Sequence, residues 1–318
     1  MSLSEFSLIE SYFKNCGLSA YPAKLGIGDD AAVLEPPENK HLVMTMDTLI
    51  EGVHFPQKTA AEDIAWKSLA VNLSDLAAMA ATPGWFLLSL SLPDSNPDWL
   101  KSFSQGLRQC AERYSIQLIG GDTCKGALSI SIQATGFVAA GKEVRRDTAI
   151  IGEKIIVSGE LGNAALGLAD LQSDITLPED LRQRCLYALK RPEPRLELSP
   201  LLQQYATSAI DLSDGLIGDL GHILRQSDVG AVINKHQLPV CDWIKQANQY
   251  QYAISSGDDY ELCFTLPAQL MSEISVWNNN QNNCRLTCIG EICESGFNMI
   301  DENNSIDLNS ATGYQHFV

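Results

Sequence analysis

Apolar and polar positions along the chain set helices and strands in mixed order. Residues 5–16 carry apolar positions at helical spacing and predict a short helix. HLVMTMDTL predicts a strand that stops at Asp47, and residues 61–81 predict a helix that ends before Pro83-Gly84. WFLLSLSLP alternates in part, like a strand with one polar face. DWLKSFSQGLRQCAERY then predicts a helix, IQLIGGDT a strand ending at Asp122, and LSISIQATGFV another alternating strand. A fresh unit begins near residue 150, so the expected division is 1–149 and 150–318. Its elements are the strand EKIIVSG, the helix ELGNAALGLADL, and a helix with an exposed loop over residues 173–198. SAIDLSDGLIGDLGHILRQS predicts a strand running into a helix, GAVINKHQLP and YELCFTLP predict strands, and the Asn- and Ser-rich tail holds short strands around RLTCIGEI. Half-polar strands mixed with helices predict an α+β fold rather than a fully buried parallel sheet.

Composition narrows the function classes. The chain has 318 residues, 45% hydrophobic and 19% charged, which is globular. No window approaches the ~20 apolar residues of a membrane span, and the N-terminal stretch is acidic and amphipathic, unlike a signal peptide. Nine scattered cysteines without an export signal predict reduced thiols and a cytoplasmic protein. Cys284, Cys288 and Cys293 lack zinc spacing and a neighbouring His, so they are expected as small apolar side chains on strands. The net charge is −17, from 22 basic and 39 acidic residues, with no basic footprint for nucleic acid. An anionic ligand then needs a cation to mediate.

The acids could hold one. Asp29–Asp30, Asp47, Asp75, Asp122, Asp211, Asp214 and Asp258–Asp259 are read at the ends of elements, several directly after apolar runs. Each alone fits a cap or turn. Together in one pocket they require cations, and hard oxygen donors suit Mg²⁺ bridging to phosphate. Other nucleotide motifs fail. The P-loop pattern is absent, and GIGDDA matches G-x-G-x-x-[G/A] without the strand before it or the helix after it, since Pro36-Pro37 end that segment. No G-x-S-x-G or paired nucleophile and base emerges. VNLSDLAAMAA and IDLSDGLIGDL echo one another at four positions only.

In order along the chain, GIGDDAAVL, MDTLIEGVHF, AVNLSDLAAM, IGGDT, RRDTAIIGEKIIVSGELG, AIDLSDGL and SSGDDYEL resemble the thiamine-monophosphate kinase family, with a last echo in GYQHF. GDDAAV alone is shared with aminoimidazole ribonucleotide synthetase, selenophosphate synthetase and a hydrogenase maturation protein. EGVHF and the GDDYEL spacing favour the thiamine enzyme. The resemblance implies a two-domain aminoimidazole ribonucleotide synthetase-like architecture: an N-terminal mixed sheet that pairs in a homodimer, and a C-terminal α/β sandwich. It also implies transfer of phosphate from ATP to thiamine monophosphate, giving thiamine diphosphate.

Roles carry over by position. Asp30, Thr45, Asp47, Asp75, Asp122, Asp211 and Asp214 match Mg²⁺ ligands. Gly121, Asp122, Arg146 and Ser213 match ATP contacts. His54, Glu261 and the aromatic Tyr314 match thiamine monophosphate contacts, and Asp30, Asp122, Asp214 and Arg146 would carry the catalysis. Met46 stands where the family commonly has a hydroxyl, so a ligand there would come from the backbone. Phosphoryl transfer needs positioning and charge neutralisation more than a strong base, because the acceptor phosphate is already ionised. Arg146 matches phosphate oxygens with its planar fork, or else forms a surface ion pair with Asp147 or a nearby Glu. Two other readings remain: a related enzyme with a different acceptor, and a non-catalytic Mg²⁺/ATP-binding module. Turnover with thiamine monophosphate separates them.

Overall fold

The computed structural model describes residues 5–280 and 284–314. They group into two compact units. The first takes in the described residues up to Leu76 with Ala81–Glu143, and the second Ala77–Ala80 with the described residues from Val144 onward. No described helix is long and apolar enough to cross a membrane.

In the first unit α1 (Glu5–Leu8) runs into a wider π turn, Ile9–Phe13, so the expected helix over 5–16 stops early. The chain leaves it through Asn15 and Gly17, both at positive φ, and a Cβ on Gly17 would collide with the Ile116 carbonyl. Then come β1 (Lys40–Ile50), α2 (Ala61–Ala78), β2 (Thr82–Leu92), α3 (Pro97–Arg113), β3 (Gln117–Lys125) and β4 (Ser129–Ala139). The strands lie in the order β1-β4-β2-β3, with β4 antiparallel to both neighbours and β3 parallel to β2. α3 starts on Asn96, whose side chain accepts the N–H groups of Asp98 (3.0 Å) and Trp99 (3.2 Å), with Pro97 in the first helical position. Gly106 of α3 stands where a Cβ would collide with the Glu62 backbone of α2, so the two helices approach without an intervening side chain.

One face of this sheet is core. Ile130, Ile132 and Ala134 of β4 and Phe86, Leu88 and Leu90 of β2 are buried, alternating with the more exposed Ser131, Gln133, Leu87 and Ser89. The other face is covered in part by Tyr21, Ala23, Ala32 and Leu34 packed on Trp85, Ile119 and Phe137. Further along it, Leu42, Met44, Met46, Ile50 and Leu87 are exposed.

Two acids do not end their strands. β1 pairs with β4 as far as Ile50↔Ser129, and β3 with β2 as far as Lys125↔Leu92, so Asp47 and Asp122 sit within ladders. Both strands are edges of the sheet, where a carboxylate keeps access to water while the backbone stays paired. Asp75 likewise lies inside α2, not at an element end.

The second unit contains β5 (Lys154–Ser158), α4 (Asn163–Leu171), α5 (Glu179–Lys190), α6 (Ser199–Tyr205), β6 (Ser208–Asp211), α7 (Leu216–Ser227) and β7 (Gly230–Asn234). It continues with α8 (Asp242–Ala247), α9 (Gln251–Ile254), β8 (Leu262–Leu266), α10 (Met271–Asn280), β9 (Leu286–Cys293), β10 (Phe297–Asp301) and β11 (Asn304–Asp307). The seven strands form one mixed sheet, β11-β10-β7-β9-β5-β8-β6. Helices cover both faces. Ile155 and Val157 of β5 face a core shared with Leu166 of α4 and Leu220 of α7. Ile156, between them, faces a second core with Leu202 of α6 and Ile274 of α10. That two-sided burial is the expected α/β sandwich.

Two expected strands are shorter than read. β7 gives way to a 3₁₀ turn at Lys235–Gln237, and β8 starts at Leu262, leaving Tyr260 and Glu261 in a loop. All nine cysteines are free. Cys284 is buried, Cys288 and Cys293 half-buried, and no three His, Cys, Asp or Glu side chains among the described residues gather to hold a metal.

Candidate active site

The first unit brings Thr45, Asp47 and Asp75 together. β1 alternates, which sends Thr45 and Asp47 to the same half-buried side as Leu49. On α2, Asn72 and Asp75 are one turn apart and share a face. The Thr45 hydroxyl donates to an Asp75 carboxylate oxygen. The Asp47 N–H donates to Asn72 Oδ1 at 3.2 Å, and the Asn72 amide is itself oriented by donating to the Ser68 carbonyl at 3.1 Å. Asn72 is fully buried.

Asp122 stands apart from that group. Asp29 and Asp30 are exposed in the loop closed by the Leu25–Val33 bridge, and Asp29 Oδ1 accepts the Asp30 N–H at 2.8 Å. Asp122 pairs with Ser89 on β3, the opposite edge of the sheet from Asp47. At a strand spacing of ~4.8 Å, edges three strands apart are ~14 Å from one another. Gly121 has φ +151, and a Cβ there would collide with the Leu88 carbonyl, so the backbone at this point can only be glycine's. His54 follows β1 in a tight turn. Its Nδ1 accepts the Ile50 N–H at 3.0 Å, which puts the ring proton of the neutral form on Nε2. Buried Lys67 donates to the His54 carbonyl at 3.1 Å.

The second unit builds its part around the loop after β6. Asp211 ends the strand and is buried, and Ser213 and Asp214 follow half-buried. Gly215, at φ +104, turns the chain into α7. The loop is fastened from three directions. Asp219, buried in the first turn of α7, accepts the Asp214 N–H at 2.9 Å. The Asp258 N–H donates to the Ser213 carbonyl (2.9 Å) and the Tyr260 N–H to the Leu212 carbonyl (2.8 Å). The Tyr314 N–H donates to the Asp214 carbonyl (2.9 Å), which sets this half-exposed aromatic beside Asp214. Gln315, His316 and Phe317 of the same motif lie outside the described residues. Asp258 and Tyr260 both take left-handed φ (71 and 50), so the fastening segment itself holds an unfavourable backbone.

Arg146 is exposed. Its neighbour Arg145, not Arg146, forms the ion pair with Asp147. Burial lowers the His222 pKa, and the Arg225 and Arg146 guanidinium charges add to the shift. Glu261 is buried, and both its oxygens are engaged: Arg195 donates to them through Nε (2.7 Å) and Nη2, and Ser158 donates its hydroxyl. Two residues from Glu261, the Asp259 carboxylate accepts the Gly162 N–H at the start of α4 (2.9 and 3.1 Å). Desolvation raises its pKa well above the ordinary value.

Sequence reasoning missed Asn72, Asp219, Arg195 and Ser158. Asp219 was the most accessible of them: a carboxylate inside an apolar helix face, five residues after Asp214 in a motif already singled out.

Burial pushes the Asp219 carboxyl from 3.8 up to about 7; its three backbone donors, from Asp214, Gly215 and Ser213, oppose the shift and the Asp214 charge adds to it. A raised carboxyl pKa contributes stability that is fully present below pH ~4 and lost as pH rises through ~7. At ~1.4 kcal/mol per unit the loss reaches at most about 4 kcal/mol. In metal-free buffer, the parent chain is therefore expected to lose stability relative to Asp219→Asn between those limits. Parallel denaturation profiles for the two proteins would show that Asp219 does not titrate there.

The domain known as AIR synthase related protein, N-terminal domain, matches residues 28–138. Thiamine-monophosphate kinase of Haemophilus influenzae is 42% identical over 331 aligned positions, covering 100% of this chain and 99% of that protein. The crystal structure of thiamine-monophosphate kinase from Stenotrophomonas maltophilia superposes with a TM-score of 0.84 at 42% identity, over 96% of this chain and 99% of that one. The structure of AaThiL complexed with AMPPCP and TMP superposes with a TM-score of 0.77 at 32% identity, over 92% of each chain.

Proposed function

The chain belongs to the thiamine-monophosphate kinase family, and from that premise we infer that it transfers the γ-phosphoryl group of ATP to the phosphate of thiamine monophosphate. The observation that carries the reading is identity of 42% across the whole chain with that kinase of Haemophilus influenzae. AaThiL is complexed with AMPPCP and TMP, and AMPPCP, with a methylene in place of the β–γ oxygen, stands in for the ATP of such a reaction.

The donor set supports the chemistry. Asp30, Thr45, Asp47, Asp75, Asp122, Asp211 and Asp214 offer only hard oxygen atoms, which fit Mg²⁺. Thr45, Asp47 and Asp75 lie on facing sides of β1 and α2, while Asp122 stands on the opposite sheet edge; no three acids among the described residues form a ready-made cage, so phosphate oxygens would have to complete each coordination shell. Bound Mg²⁺ would neutralise phosphate charge that this acidic chain repels. The residues do the rest by position. Ser213 and Asp214 sit on a loop tied down by Asp219, Asp258, Tyr260 and Tyr314, so little ordering is left when a phosphate arrives. Gly121 allows a backbone approach that no side chain would permit. Arg146 makes no side-chain hydrogen bond or ion pair among the described residues, which leaves its fork for phosphate oxygens. His54 presents an Nε2–H donor, and Tyr314 a ring face for the cationic thiazolium. Glu261 is partly engaged: its carboxylate accepts from Arg195 twice and from Ser158 once, and keeps acceptor capacity for thiamine monophosphate.

The chain acts in the cytoplasm, where its nine free thiols stay reduced. It acts as a homodimer, in which a second copy covers Leu42, Met44, Met46, Ile50 and Leu87 on the open sheet face.

The test is the purified chain with ATP, Mg²⁺ and thiamine monophosphate, with thiamine diphosphate detected as its oxidised fluorescent derivative. Product that depends on both Mg²⁺ and the monophosphate is the expected result. Bound ATP without product would send the assignment to another phosphate acceptor.

A further inference from the structure

A cavity of about 720 Å³ opens in the second unit between the start of α4, the end of α5 and the 3₁₀ turn after β7. That volume is ordinary for a small-molecule site. Its charge is not ordinary for this protein. The chain carries 39 acidic and 22 basic residues, yet five cations border this one cavity: Arg184, Arg191, Arg195, Lys245 and Arg285.

Four carboxylates also border it, and three are spent. Glu261 serves Arg195 and Ser158, Asp259 accepts the Gly162 N–H, and Glu160 sits 3.2 Å from the Asn163 amide and 3.4 Å from Arg184. The cations keep donor capacity. Arg285 makes no side-chain hydrogen bond or ion pair among the described residues. Arg195 is clamped through Nε and Nη2, but its Nη1 stands 3.6 Å from Glu193 and 3.8 Å from Glu197, beyond hydrogen-bond length. Tyr187, Pro192, Leu238 and Val240 supply an apolar wall. Guanidinium groups beside an apolar wall match a phosphate carried on a compact organic body.

From this cavity we propose a binding site for a small phosphorylated anion, lined by guanidinium groups and bordering the Arg195–Glu261 pair. The proposal does not depend on the phosphoryl-transfer reading. The acidic residues of that site need Mg²⁺ to hold a phosphate, whereas this cavity binds one without it.

The experiment follows from that difference. Metal-stripped protein, in buffer passed over chelating resin and at physiological ionic strength, is titrated calorimetrically with inorganic pyrophosphate. One site per chain is expected. Arg285→Ala should weaken it about tenfold or more, the value of one charge-assisted contact, and Arg184→Ala with Arg285→Ala should abolish it. Both residues are exposed, so the variants keep the fold, and Arg285→Glu serves as a stronger second variant. Thiamine diphosphate formation should be unchanged in Arg285→Ala. No heat with the parent chain, or undiminished binding in the double variant, overturns the proposal. A raised KM for thiamine monophosphate in Arg285→Ala, without pyrophosphate binding, also overturns it and assigns the cavity to the substrate.

Discussion

Asp214→Asn is expected to lower thiamine diphosphate formation by about 10²–10³-fold, the scale on which losing one preorganised electrostatic group is felt, with no change in melting temperature. The fold should survive because the loop is fastened through its backbone. The Asp214 N–H goes to Asp219 and its carbonyl receives the Tyr314 N–H, and neither bond uses the side chain that changes. Asn is also isosteric, so the half-buried site is neither emptied nor crowded. What disappears is a negative oxygen donor, and the half-saturating Mg²⁺ concentration should rise with the loss of rate. Parent-like turnover at every Mg²⁺ concentration would remove Asp214 from the metal site.

The largest effect on stability is expected from Arg195→Met. Arg195 and Glu261 are 12% and 7% exposed in their side chains and meet through two parallel contacts. Removing the guanidinium leaves a buried carboxylate with Ser158 as its remaining side-chain donor, which costs ~3–5 kcal/mol. Adding Glu261→Gln should return much of that, because the stranded charge goes with it. Exposed pairs such as Lys14–Glu10 and Lys24–Glu35 are by contrast expected to contribute ~0–1 kcal/mol. Denaturant unfolding of the single and double variants gives the comparison. A single variant within about 1 kcal/mol of the parent would mean that water reaches Glu261.

These residues also show what could be read in advance. DWLKSFSQGLRQCAERY announced α3, and SAIDLSDGLIGDLGHILRQS announced a strand running into a helix, because the spacing of apolar positions is local. β5 was legible as a strand from EKIIVSG, while its burial on both faces comes from helices distant in sequence. The ends of β1 and β3 were not, since a carboxylate stops a strand only where it must be desolvated, and both strands are edges. α6, α8 and α10 are short or weakly amphipathic and gain their helicity from packing that local patterns do not encode. At the site, the acids could be collected by type, but their grouping could not. Thr45 meets Asp75 across 30 positions and Glu261 meets Arg195 across 66. The adjacent acids of GIGDDA are joined by a local bond, Asp29 accepting the N–H of Asp30.

The strand order of the second sheet carries a consequence for synthesis. β5 lies between β8 and β9, and both partners follow it by roughly a hundred residues or more. The first unit's four strands are complete by Ala139, soon enough to pair while the chain is still growing. At ~5–20 residues per second, β5 then waits roughly 5–20 s for its first neighbour to leave the ribosome. Through that interval Ile155, Ile156 and Val157 have no ladder on either side, an unpaired apolar strand of the kind that recruits chaperones or other nascent chains. The sheet of the second unit therefore starts when β8 emerges to join β5 and β6, and β9 then connects β5 to β7. A premature stop before β9 would leave a finished first unit attached to a segment that cannot close its sheet.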